Sequence, residues 1–422
     1  MEISFPVLEN SKRILVMIER INYLKKLNEW KNTQIIKVVT GIRRCGKSTL
    51  LLQFQEQLKR DGVNPSNIIS INFEDLGYEN LTHYQALYSY VINRQVSGEM
   101  TYLFLDEIQR VEGFEKAINS LCLMENIDIY LTGSNAFMLS GDLATLLSGR
   151  YIEIPLLPFS FYEYSNVYLN EERDSLFSKF IKTGGFPYIT QLNDNLDMID
   201  TYLEGIYNTI IVKDIEDRER RRALSDKRKV SDFSLLKSVA RFLASSIGSP
   251  ISIKSITDYI ISSGRKVSQN TIADYIDMLQ EAFIFYPVER YDIAGKQFMK
   301  MNQKFYIVDS GLRRYLLSNR NYDLGYVLEN TVFLELLRRS YKVNIGKMHN
   351  TEVDFIARKN DVTIYIQVTS SLTEPTTFER EIKPLRMIKD NHPKFILTLD
   401  RFTAGNYEGI IVQNVVDWLL DG

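Results

Sequence analysis

The stretch that decides the fold runs from Ile35 to Thr49 and reads IIKVVT-GIRRCGKST. Its first six residues form an apolar run typical of a buried strand. The segment from Gly41 to Thr49 matches the pattern G-x-x-x-x-G-K-[ST] in full, and the helix-like run STLLLQFQEQLKR continues from Ser48. A glycine-rich loop between a strand and a helix is the context in which this pattern binds phosphate groups. The sequence therefore predicts a nucleotide-binding α/β domain.

The loop supplies several different groups for a nucleotide phosphate. Gly41 and Gly46 let the backbone curl so that amides point inward, and the helix start adds the positive end of its dipole. Lys47 brings a cation to the β- and γ-phosphates, and Ser48 brings a hydroxyl for Mg²⁺. We therefore predict ATP and Mg²⁺ as cofactors. The predicted nucleotide-binding residues are Gly41, Ile42, Arg43, Arg44, Cys45, Gly46, Lys47, Ser48 and Thr49.

Three residues inside the loop have interpretations of their own. Arg43 and Arg44 project from the loop, and we expect them to be solvated or to contact a neighbouring domain. Cys45 lies near a helix start and near these arginines, which predicts a lowered thiol pKa. Nothing in the sequence makes that cysteine catalytic.

A second apolar strand, YLFLDE from Tyr102 to Glu107, ends in two carboxylates. Asp106 is placed to hold Mg²⁺ through its water shell, and Glu107 to polarise the attacking water. The strand NIISINF, Asn67 to Phe73, lies between this motif and the phosphate loop in the sequence. That order and the adjacent glutamate favour an ATPase over a small-molecule kinase.

Two further apolar runs, DIYLTGS and YIEIPL, complete the predicted domain. Continuous apolar strands that alternate with helices form a parallel sheet covered on both faces. Ser134 or Asn135 follows the first run and is placed to orient the attacking water, or else forms a polar turn at a helix start. Arg150 precedes the second run and is placed to reach a neighbouring subunit's γ-phosphate, or else is an ordinary surface arginine.

The composition limits the other possibilities. With 422 residues, the chain is long enough for two or three domains. Its 51 Lys and Arg against 53 Asp and Glu leave a net charge of −2, so nucleic-acid binding would need a local basic patch. Two cysteines and three widely spaced histidines argue against a disulfide framework or a zinc site. The sequence shows no signal peptide and no apolar run of spanning length, which predicts a cytoplasmic protein without a membrane partner.

The pattern changes after GGFP, from Gly184 to Pro187. The chain then becomes helical and includes a charged stretch, Lys213 to Lys229, which is interpreted as solvated because basic and acidic residues alternate in it. From Ile251 to Arg290 the order helix, turn, helix, strand is that of a winged helix, with Ser268 capping the second helix. From about residue 304 the pattern is α/β again.

Taken in order, GIRRCGKST, FLDEIQ, LTGSN, LATLLSGRYIEIPLLPFSF and GGFP make the chain resemble a prokaryotic lineage of AAA+ ATPases. The resemblance spans nearly the whole chain and implies three parts. Residues 1–195 would form a P-loop NTPase domain of the AAA+/ASCE type. Residues 196–300 would form a helical lid and winged helix, and residues 301–422 a small restriction-endonuclease-like α/β domain.

The resemblance also implies roles for single residues. It gives Asp106 and Glu107 to hydrolysis, and it makes Asn135, with Ser134, a sensor of the nucleotide. Arg150 resembles the lineage's arginine finger, which implies a homo-oligomer. Lys47 and Ser48 keep the roles predicted above.

The last part of the chain resembles a nuclease that has lost essential residues. An active enzyme of that type has an acid on a helix, an aspartate on one strand, and an acid or glutamine followed by lysine on the next. Here Glu335 and Asp354 match the first two places, but Gln367 stands where an acid is usual and Thr369 where the lysine belongs. Threonine lacks the cationic group, so we expect a non-cleaving domain retained as an interaction surface.

The leading functional hypothesis is therefore an ATP-hydrolysing conformational switch or motor. The first alternative is a DNA- or RNA-binding module regulated by ATP. Its contacts would be Lys254, Arg265 and Lys266 of the winged helix, together with the stretch from Lys213 to Lys229. A winged helix used only for protein packing explains the same residues. An active metal-dependent nuclease is the least favoured alternative.

Overall fold

The structure is a computed structural model of the chain. It describes residues 18–133, 147, 149–214, 232–318 and 323–421, with the backbone alone at 212–214, 300 and 301. In the described part of the chain, two separate sheets organise the fold.

The first sheet consists of the five strands that the sequence predicts, and all of its pairings are parallel. Its strands are β1 (Ile36–Thr40), β2 (Ile68–Asn72), β3 (Thr101–Asp106), β4 (Ile127–Thr132) and β5 (Tyr151–Pro155). Their spatial order is β2-β3-β4-β1-β5, so β4 lies between β1 and β3. The carboxyl ends of parallel strands share one edge, where ligands bind in open α/β sheets. The ends of β1, β4 and β3 therefore adjoin there.

Both faces of this sheet are buried, as the continuous apolar strands predict. In β3, Tyr102 and Phe104 belong to one apolar cluster, and Leu103 and Leu105 to another. Two helices cover the first face and two the second. These helices are α1 (Ile21–Glu29) and α2 (Lys47–Arg60) on the first face, and α3 (Tyr84–Arg94) and α4 (Phe114–Leu121) on the second. Short 3-10 helices occupy Pro65–Asn67, Leu76–Leu81 and Ile108–Arg110.

A helical segment follows the first sheet. It contains α5 (Phe161–Ser165), α6 (Arg173–Thr183), a 3-10 helix (Pro187–Gln191), α7 (Leu196–Asn208) and a π-helix (Thr209–Asp214). The GGFP sequence lies inside it and is buried: Phe186 is fully enclosed, and the Gly185 carbonyl accepts the Phe159 amide at 2.7 Å. The GGFP sequence, where the sequence pattern changes, is thus part of the core that packs on the first sheet.

The predicted order helix, turn, helix, strand is confirmed. That order is formed by α9 (Ile253–Ser262), α10 (Gln269–Glu281) and β6 (Phe285–Asp292). The helix α8 (Phe233–Ser245) precedes them, and the strand β7 (Gln297–Ile307) follows them. Ser268 caps α10 as expected, because its hydroxyl accepts the Thr271 amide at 3.1 Å. A single antiparallel bridge joins Ile251, just before α9, to Gln303 of β7.

The second sheet has eight strands in the order β12-β13-β11-β10-β9-β8-β6-β7, with mixed parallel and antiparallel pairings. The strand β7 crosses residue 300, so this sheet begins before the boundary predicted there. Its other strands are β8 (Lys342–Met348), β9 (Thr351–Lys359), β10 (Val362–Thr369), β11 (Lys394–Thr398), β12 (Gly405–Tyr407) and β13 (Ile410–Asn414). The helices of this part are α11 (Ser310–Leu316), α12 (Leu324–Arg338), α13 (Pro375–Met387) and α14 (Val415–Leu420).

The parts of the chain pack against one another. One apolar cluster extends from Tyr23 of α1, through Leu236 of α8, to Leu419 of α14. Within the described ranges, every helix is too short or too polar to span a bilayer. Because of the shared apolar cluster, the nucleotide loop packs on the same core as the second sheet.

Candidate active site

The predicted phosphate loop depends on two glycines. Gly41 has φ of 139°, and a Cβ at this position would lie 2.1 Å from the Leu156 carbonyl oxygen. Gly46 has φ of 105° and directly precedes α2. Side chains rarely adopt these angles, so glycine is required at both turns. The curled loop that the sequence predicts is present.

Lys47 is the first residue of α2 and is only 8% exposed. Its Nζ donates to the Gly41 carbonyl at 2.9 Å and to the Ile42 carbonyl at 3.4 Å. These contacts hold the ammonium group against the loop. The predicted phosphate-binding cation is therefore fixed beside the loop.

The remaining loop residues divide into a buried and an open set. Ile42 and Cys45 are fully enclosed, whereas Arg44, Ser48 and Thr49 are exposed and Arg43 is half-buried. The expectation of a lowered thiol pKa at Cys45 was wrong. Burial raises the pKa of this thiol and outweighs the nearby cations Lys47 and Arg20.

The two predicted acids lie on the same sheet edge as the loop. Asp106 ends β3 and is 7% exposed, and Glu107 follows it half-exposed. Thr132, at the end of the intervening strand β4, donates its hydroxyl hydrogen to Asp106 Oδ1. The same hydroxyl oxygen accepts the Glu107 amide at 3.1 Å. Thr132 therefore fixes both acids relative to the strand beside the loop.

Glu107 adopts an unusual backbone conformation for a side chain of its type. Its φ of 58° and ψ of 44° place it in the left-handed region. Its carboxylate accepts the Gln109 side-chain amide at 2.5 Å. Left-handed non-glycine residues cluster at functional sites, where the surrounding structure holds them in place. This turn directs the glutamate out of the strand.

Arg150 is not near the phosphate loop of its own chain. Its carbonyl accepts the Ile36 amide at 2.9 Å, and Ile36 is the first residue of β1. The loop follows the other end of β1, and a strand of this length spans about 16 Å. The exposed side chain of Arg150 therefore lies at the opposite sheet edge from Gly41.

Two predictions lie outside the described residues. Ser134 and Asn135 follow Gly133, where the description of this loop stops. Residues 215–229 of the charged stretch are also outside it, as are the side chains of 213 and 214. The sensor role of Asn135 thus stays a prediction.

The second sheet has a cavity of about 620 Å³ near its centre. Asp354 of β9 and Gln367 of β10 line it. The Asp354 carboxylate accepts the Val368 amide at 2.8 Å, and the Gln367 side chain accepts the Asp354 amide at 3.1 Å. Burial raises the pKa of Asp354 well above its ordinary value.

The helical acid of this cavity is Glu329, not Glu335. Glu335 is turned away and pairs with Arg339 at 2.8 Å on the same helix. Six residues along a helix correspond to about 240° of rotation, so Glu329 and Glu335 lie on different faces of α12. The expectation that placed Glu335 beside Asp354 was therefore wrong.

A lysine that sequence reasoning missed approaches the same cavity. Lys304 of β7 is 3% exposed and pairs with Glu329 at 3.0 Å and with Glu352 at 2.6 Å. It lies far in the sequence from Thr369, whose hydroxyl donates to the Ser371 carbonyl at 3.2 Å. Among the described residues, no group of three or more His, Cys, Asp or Glu side chains is arranged to hold a metal ion.

Comparison with known protein families identifies a known domain in the first part of the chain. Residues 33–165 match the family described as an AAA domain, and residues 174–323 match a domain of unknown function, DUF8612. An uncharacterized protein of Haemophilus influenzae is 41% identical over 409 residues, which cover 96% of this chain and 99% of that protein. The uncharacterized protein MJ1544 of Methanocaldococcus jannaschii is 31% identical over 374 residues, or 84% of this chain and 79% of that protein.

Among solved structures, the chain is similar to the Walker-type ATPase PABY2304 of Pyrococcus abyssi. It is 18% identical and has a TM-score of 0.45, and the match covers 73% of this chain and 98% of that one. The AAA match covers the five-stranded sheet, the phosphate loop and the acidic strand end. The chain therefore contains an AAA domain and belongs to one family with the uncharacterized proteins of Haemophilus influenzae and Methanocaldococcus jannaschii.

Proposed function

We propose that this protein binds ATP at the loop Gly41–Thr49, hydrolyses it with Mg²⁺, and uses the cycle as a conformational switch. One observation carries the proposal. The loop with its buried Lys47 and the acids Asp106 and Glu107 lie on one sheet edge, where Thr132 joins the two acids. Positioning and charge stabilisation of this kind are what phosphoryl transfer requires.

The side chains divide the chemistry among them. Lys47 and the loop amides neutralise the phosphate oxygens and hold the γ-phosphate in line with the attacking water. Ser48 and Asp106 would hold Mg²⁺, whose charge offsets that of the β- and γ-phosphates. Glu107 accepts a hydrogen bond from the attacking water and polarises it. Asn135 would orient that water.

The packing of GGFP supports a switch rather than an isolated hydrolase. Pro187 lies beside Gly46 of the loop, and the Gly185 amide donates to Asp309 Oδ2 at 2.7 Å. Asp309 caps α11 in the part of the chain that leads to the second sheet. A change in the loop on nucleotide binding thus has a short buried route to the rest of the molecule.

The test compares two site variants with a matched lysine variant. We expect Lys47→Ala to lose ATP binding, because the phosphates lose their buried cation. We expect Glu107→Gln to bind ATP but to lose at least about a hundredfold in kcat, the usual scale of a general base. Lys59→Ala, at the exposed end of the same helix α2, should keep both properties. Fluorescent-nucleotide binding and phosphate release measure them.

Two results would contradict these assignments. Turnover at the unmodified rate in Glu107→Gln would remove Glu107 from its role. Equal loss of binding in Lys47→Ala and Lys59→Ala would show an effect on the fold and not on the phosphates.

Arg150 is proposed to act on the nucleotide of a neighbouring copy. Two observations support this. The side chain is exposed, and it lies at the opposite sheet edge from Gly41, so it is not placed to act on the nucleotide of its own chain. We expect Arg150→Ala to keep nucleotide affinity and to lose the part of kcat that rises with protein concentration. A specific activity that does not depend on concentration, with a monomeric mass in ATP, contradicts this role.

A second candidate function is nucleic-acid binding by α8 to α10 and the β6–β7 hairpin. The bridge from Ile251 to Gln303 supports a winged-helix arrangement, because it pairs a segment before α9 with the hairpin. Lys254 and Lys266 are exposed, whereas Arg265 is held by Asp232 at 3.3 Å and by Ser234 at 2.6 Å. Gel shifts at two salt concentrations test this function, because phosphate contacts weaken steeply with salt.

We further propose that the second sheet, which includes the β6–β7 hairpin, is a non-cleaving relative of the restriction-endonuclease domains. The meeting of Glu329, Asp354 and Gln367 at one cavity supports the relationship. Lys304 already neutralises Glu329, which supports the loss of cleavage. Incubation with Mg²⁺ or Mn²⁺ and mixed DNA is expected to leave the DNA intact. Cleavage that disappears in Asp354→Ala would overturn this proposal.

A further inference from the structure

Arg20, just before α1, is a buried arginine that the nucleotide chemistry above does not use. It is 3% exposed, and its guanidinium lies between the rings of Tyr23 and Phe159, at 4.9 and 5.2 Å from their centroids. Burying a guanidinium is costly unless each edge finds a partner. The identity of those partners therefore indicates what the residue does.

The partners of Arg20 converge from three parts of the first domain. Its Nε donates to the Glu163 carboxylate at 2.7 Å, and its Nη2 donates to the Leu157 carbonyl at 2.7 Å. Its Nη1 donates to the carbonyl of Cys45, inside the phosphate loop, at 3.2 Å. Glu163 is fixed in turn, because its second oxygen accepts the Ser160 amide at 2.8 Å in a capping box. The guanidinium is thus a rigid support beneath the loop.

The backbone around Arg20 is fastened to the helix that the loop begins. The Arg20 amide donates to the Gln53 side-chain oxygen at 3.2 Å, and the Gln53 amide group donates to the Ile18 carbonyl at 2.6 Å. Gln53 lies on α2. The segment from Ile18 to Arg20 therefore holds both the loop and its helix.

The Cys45 carbonyl controls the direction of a neighbouring amide. In a trans peptide the C=O and the following N–H point in opposite directions. Arg20 holds the Cys45 oxygen on the buried side of the loop, so the Gly46 N–H is turned toward the open side, where Ser48 and Thr49 are exposed. Gly46 has a left-handed φ and no side chain to restrict this peptide plane, so an external support is needed.

From this geometry we infer that Arg20 is a positioning residue of the nucleotide site, which presets the Cys45–Gly46 peptide so that its amide faces the β-phosphate. The inference rests on the proposed ATP function. An amide that binds phosphate in the ground state and in the transition state alike lowers KM more than it raises kcat. Loss of Arg20 should therefore act mainly on nucleotide affinity.

The experiment uses the full chain and a matched buried arginine. Arg314 is also enclosed. It donates to the Lys182 carbonyl at 2.8 Å and pairs with Asp200, and neither of these partners belongs to the loop. Arg20→Ala, Arg20→Lys and Arg314→Ala are compared with the unmodified protein. The measurements are the thermal unfolding midpoint, the Kd of a fluorescent ADP analogue, and KM and kcat for ATP hydrolysis.

We expect Arg20→Ala to raise Kd and KM about tenfold, with kcat changed by less than about threefold. Arg20→Lys should recover part of the loss, because an ammonium keeps the charge but cannot reach three acceptors at once. Arg314→Ala should lower the unfolding midpoint and leave Kd within about twofold.

Each contrary result has a definite meaning. An unchanged Kd in folded Arg20→Ala overturns the inference, and so does an equal rise in Kd in Arg314→Ala, since the effect would then be general loss of stability. A protein that fails to bind the ADP analogue even without substitution overturns the proposed ATP function itself. Binding by the unmodified protein with no response to Arg20→Ala overturns only the role of Arg20.

Discussion

Thr132 shows how much of the site depends on single hydrogen bonds between neighbouring strands. Its hydroxyl donates to Asp106 and accepts from the Glu107 amide. The sequence contains it within LTGSN but offers no reason to connect it with residues 25 and 26 positions earlier. The parallel pairing of β3 and β4 creates that connection, because it places the two strand ends side by side.

Replacement of Thr132 by valine tests this connection at nearly constant volume. The Asp106 carboxylate would lose a donor and the Glu107 amide an acceptor, at about 1.4 kcal/mol or more. If that loss falls on the transition state, kcat decreases about tenfold with little change in KM. Steady-state ATPase kinetics measure both constants.

Thr101→Val is the matched control for that substitution. Thr101 begins β3, is 1% exposed, and its hydroxyl has no hydrogen-bond partner in the described structure. Loss of an unpaired buried hydroxyl should leave kcat unchanged and stability unchanged or higher. If both valine variants lost the same activity, the effect would come from the sheet core and not from the Thr132 hydrogen bonds.

At the scale of elements, the strands β1 and β4 are joined by backbone hydrogen bonds and also by side chains. Lys37 of β1 and Asp128 of β4 form an ion pair in which both side chains are fully buried. The Tyr130 hydroxyl donates to the Asp128 carboxylate at 2.8 Å, and the backbone amide of Asn32 donates to the same carboxylate at 2.8 Å. The sequence predicts both strands correctly, yet the lysine within IIKVVT finds its partner only when the strands pair.

We expect Lys37→Met to destabilise the fold by about 3–5 kcal/mol, because it leaves the Asp128 carboxylate buried without its cation. The double variant Lys37→Met with Asp128→Asn should recover much of that loss, since no charge then remains in the core. Urea unfolding measures both free energies. If the double variant is as unstable as Lys37→Met alone, then packing and not charge dominates the free energy of unfolding at this position.

The helix α12 shows where reading the sequence by pattern fails. A single helix offers several acids, and the pattern of a nuclease-like domain does not decide which face meets the sheet. Packing selects the face that carries Glu329, while Glu335 turns toward Arg338 and Arg339. Lys304 is a similar case, because it lies on a different strand, β7, and pairs with Glu329 only in the folded chain.

At the scale of the whole molecule, Asp309 joins the first domain to the second sheet. Its two oxygens accept the Gly185 amide at 2.7 Å and the Leu312 amide at 2.8 Å. A Cβ on Gly184 would lie 2.2 Å from Asp309 Oδ1, so only glycine allows this approach. The GGFP motif is thus a contact between parts of the molecule.

Burial raises the pKa of Asp309 to about 6, against hydrogen bonds from amides that lower it. The folded chain therefore binds this proton more tightly than the unfolded chain, where the pKa is near 3.8. The contribution of Asp309 to stability is complete below about pH 4 and is lost as the pH rises through about 6. We expect a fall on the order of 3 kcal/mol across that window, measurable by urea unfolding at each pH.

Asp309→Asn should remove this pH dependence and lower stability at pH 7 by about 1–3 kcal/mol, since an amide group then faces the Gly185 amide. The control is Asp323→Asn, an exposed cap of α12 whose role asparagine fills equally well. The pH profile of the control should run parallel to that of the unmodified protein. A persistent fall between pH 4 and 6 in Asp309→Asn would assign the titration to another group.

The sequence by itself determined the features that depend on short stretches of chain. The phosphate loop, the five parallel strands, the acidic strand end and the cap at Ser268 all follow from patterns within about ten residues, because hydrogen bonding and burial at that range repeat with the strand or helix period. The nucleotide chemistry is of this kind.

Only the tertiary structure decided which distant groups meet. The structure brings together segments that are far apart in sequence. The examples are the contacts of Thr132 with the two acids, of Arg20 with the loop, of Lys304 with Glu329, and of Asp309 with GGFP. Burial also reversed the expected shift at Cys45, because desolvation of a thiol outweighs nearby cations once the site is enclosed. Such contacts depend on strand register and on which helix face is buried, and neither is written in any one local pattern.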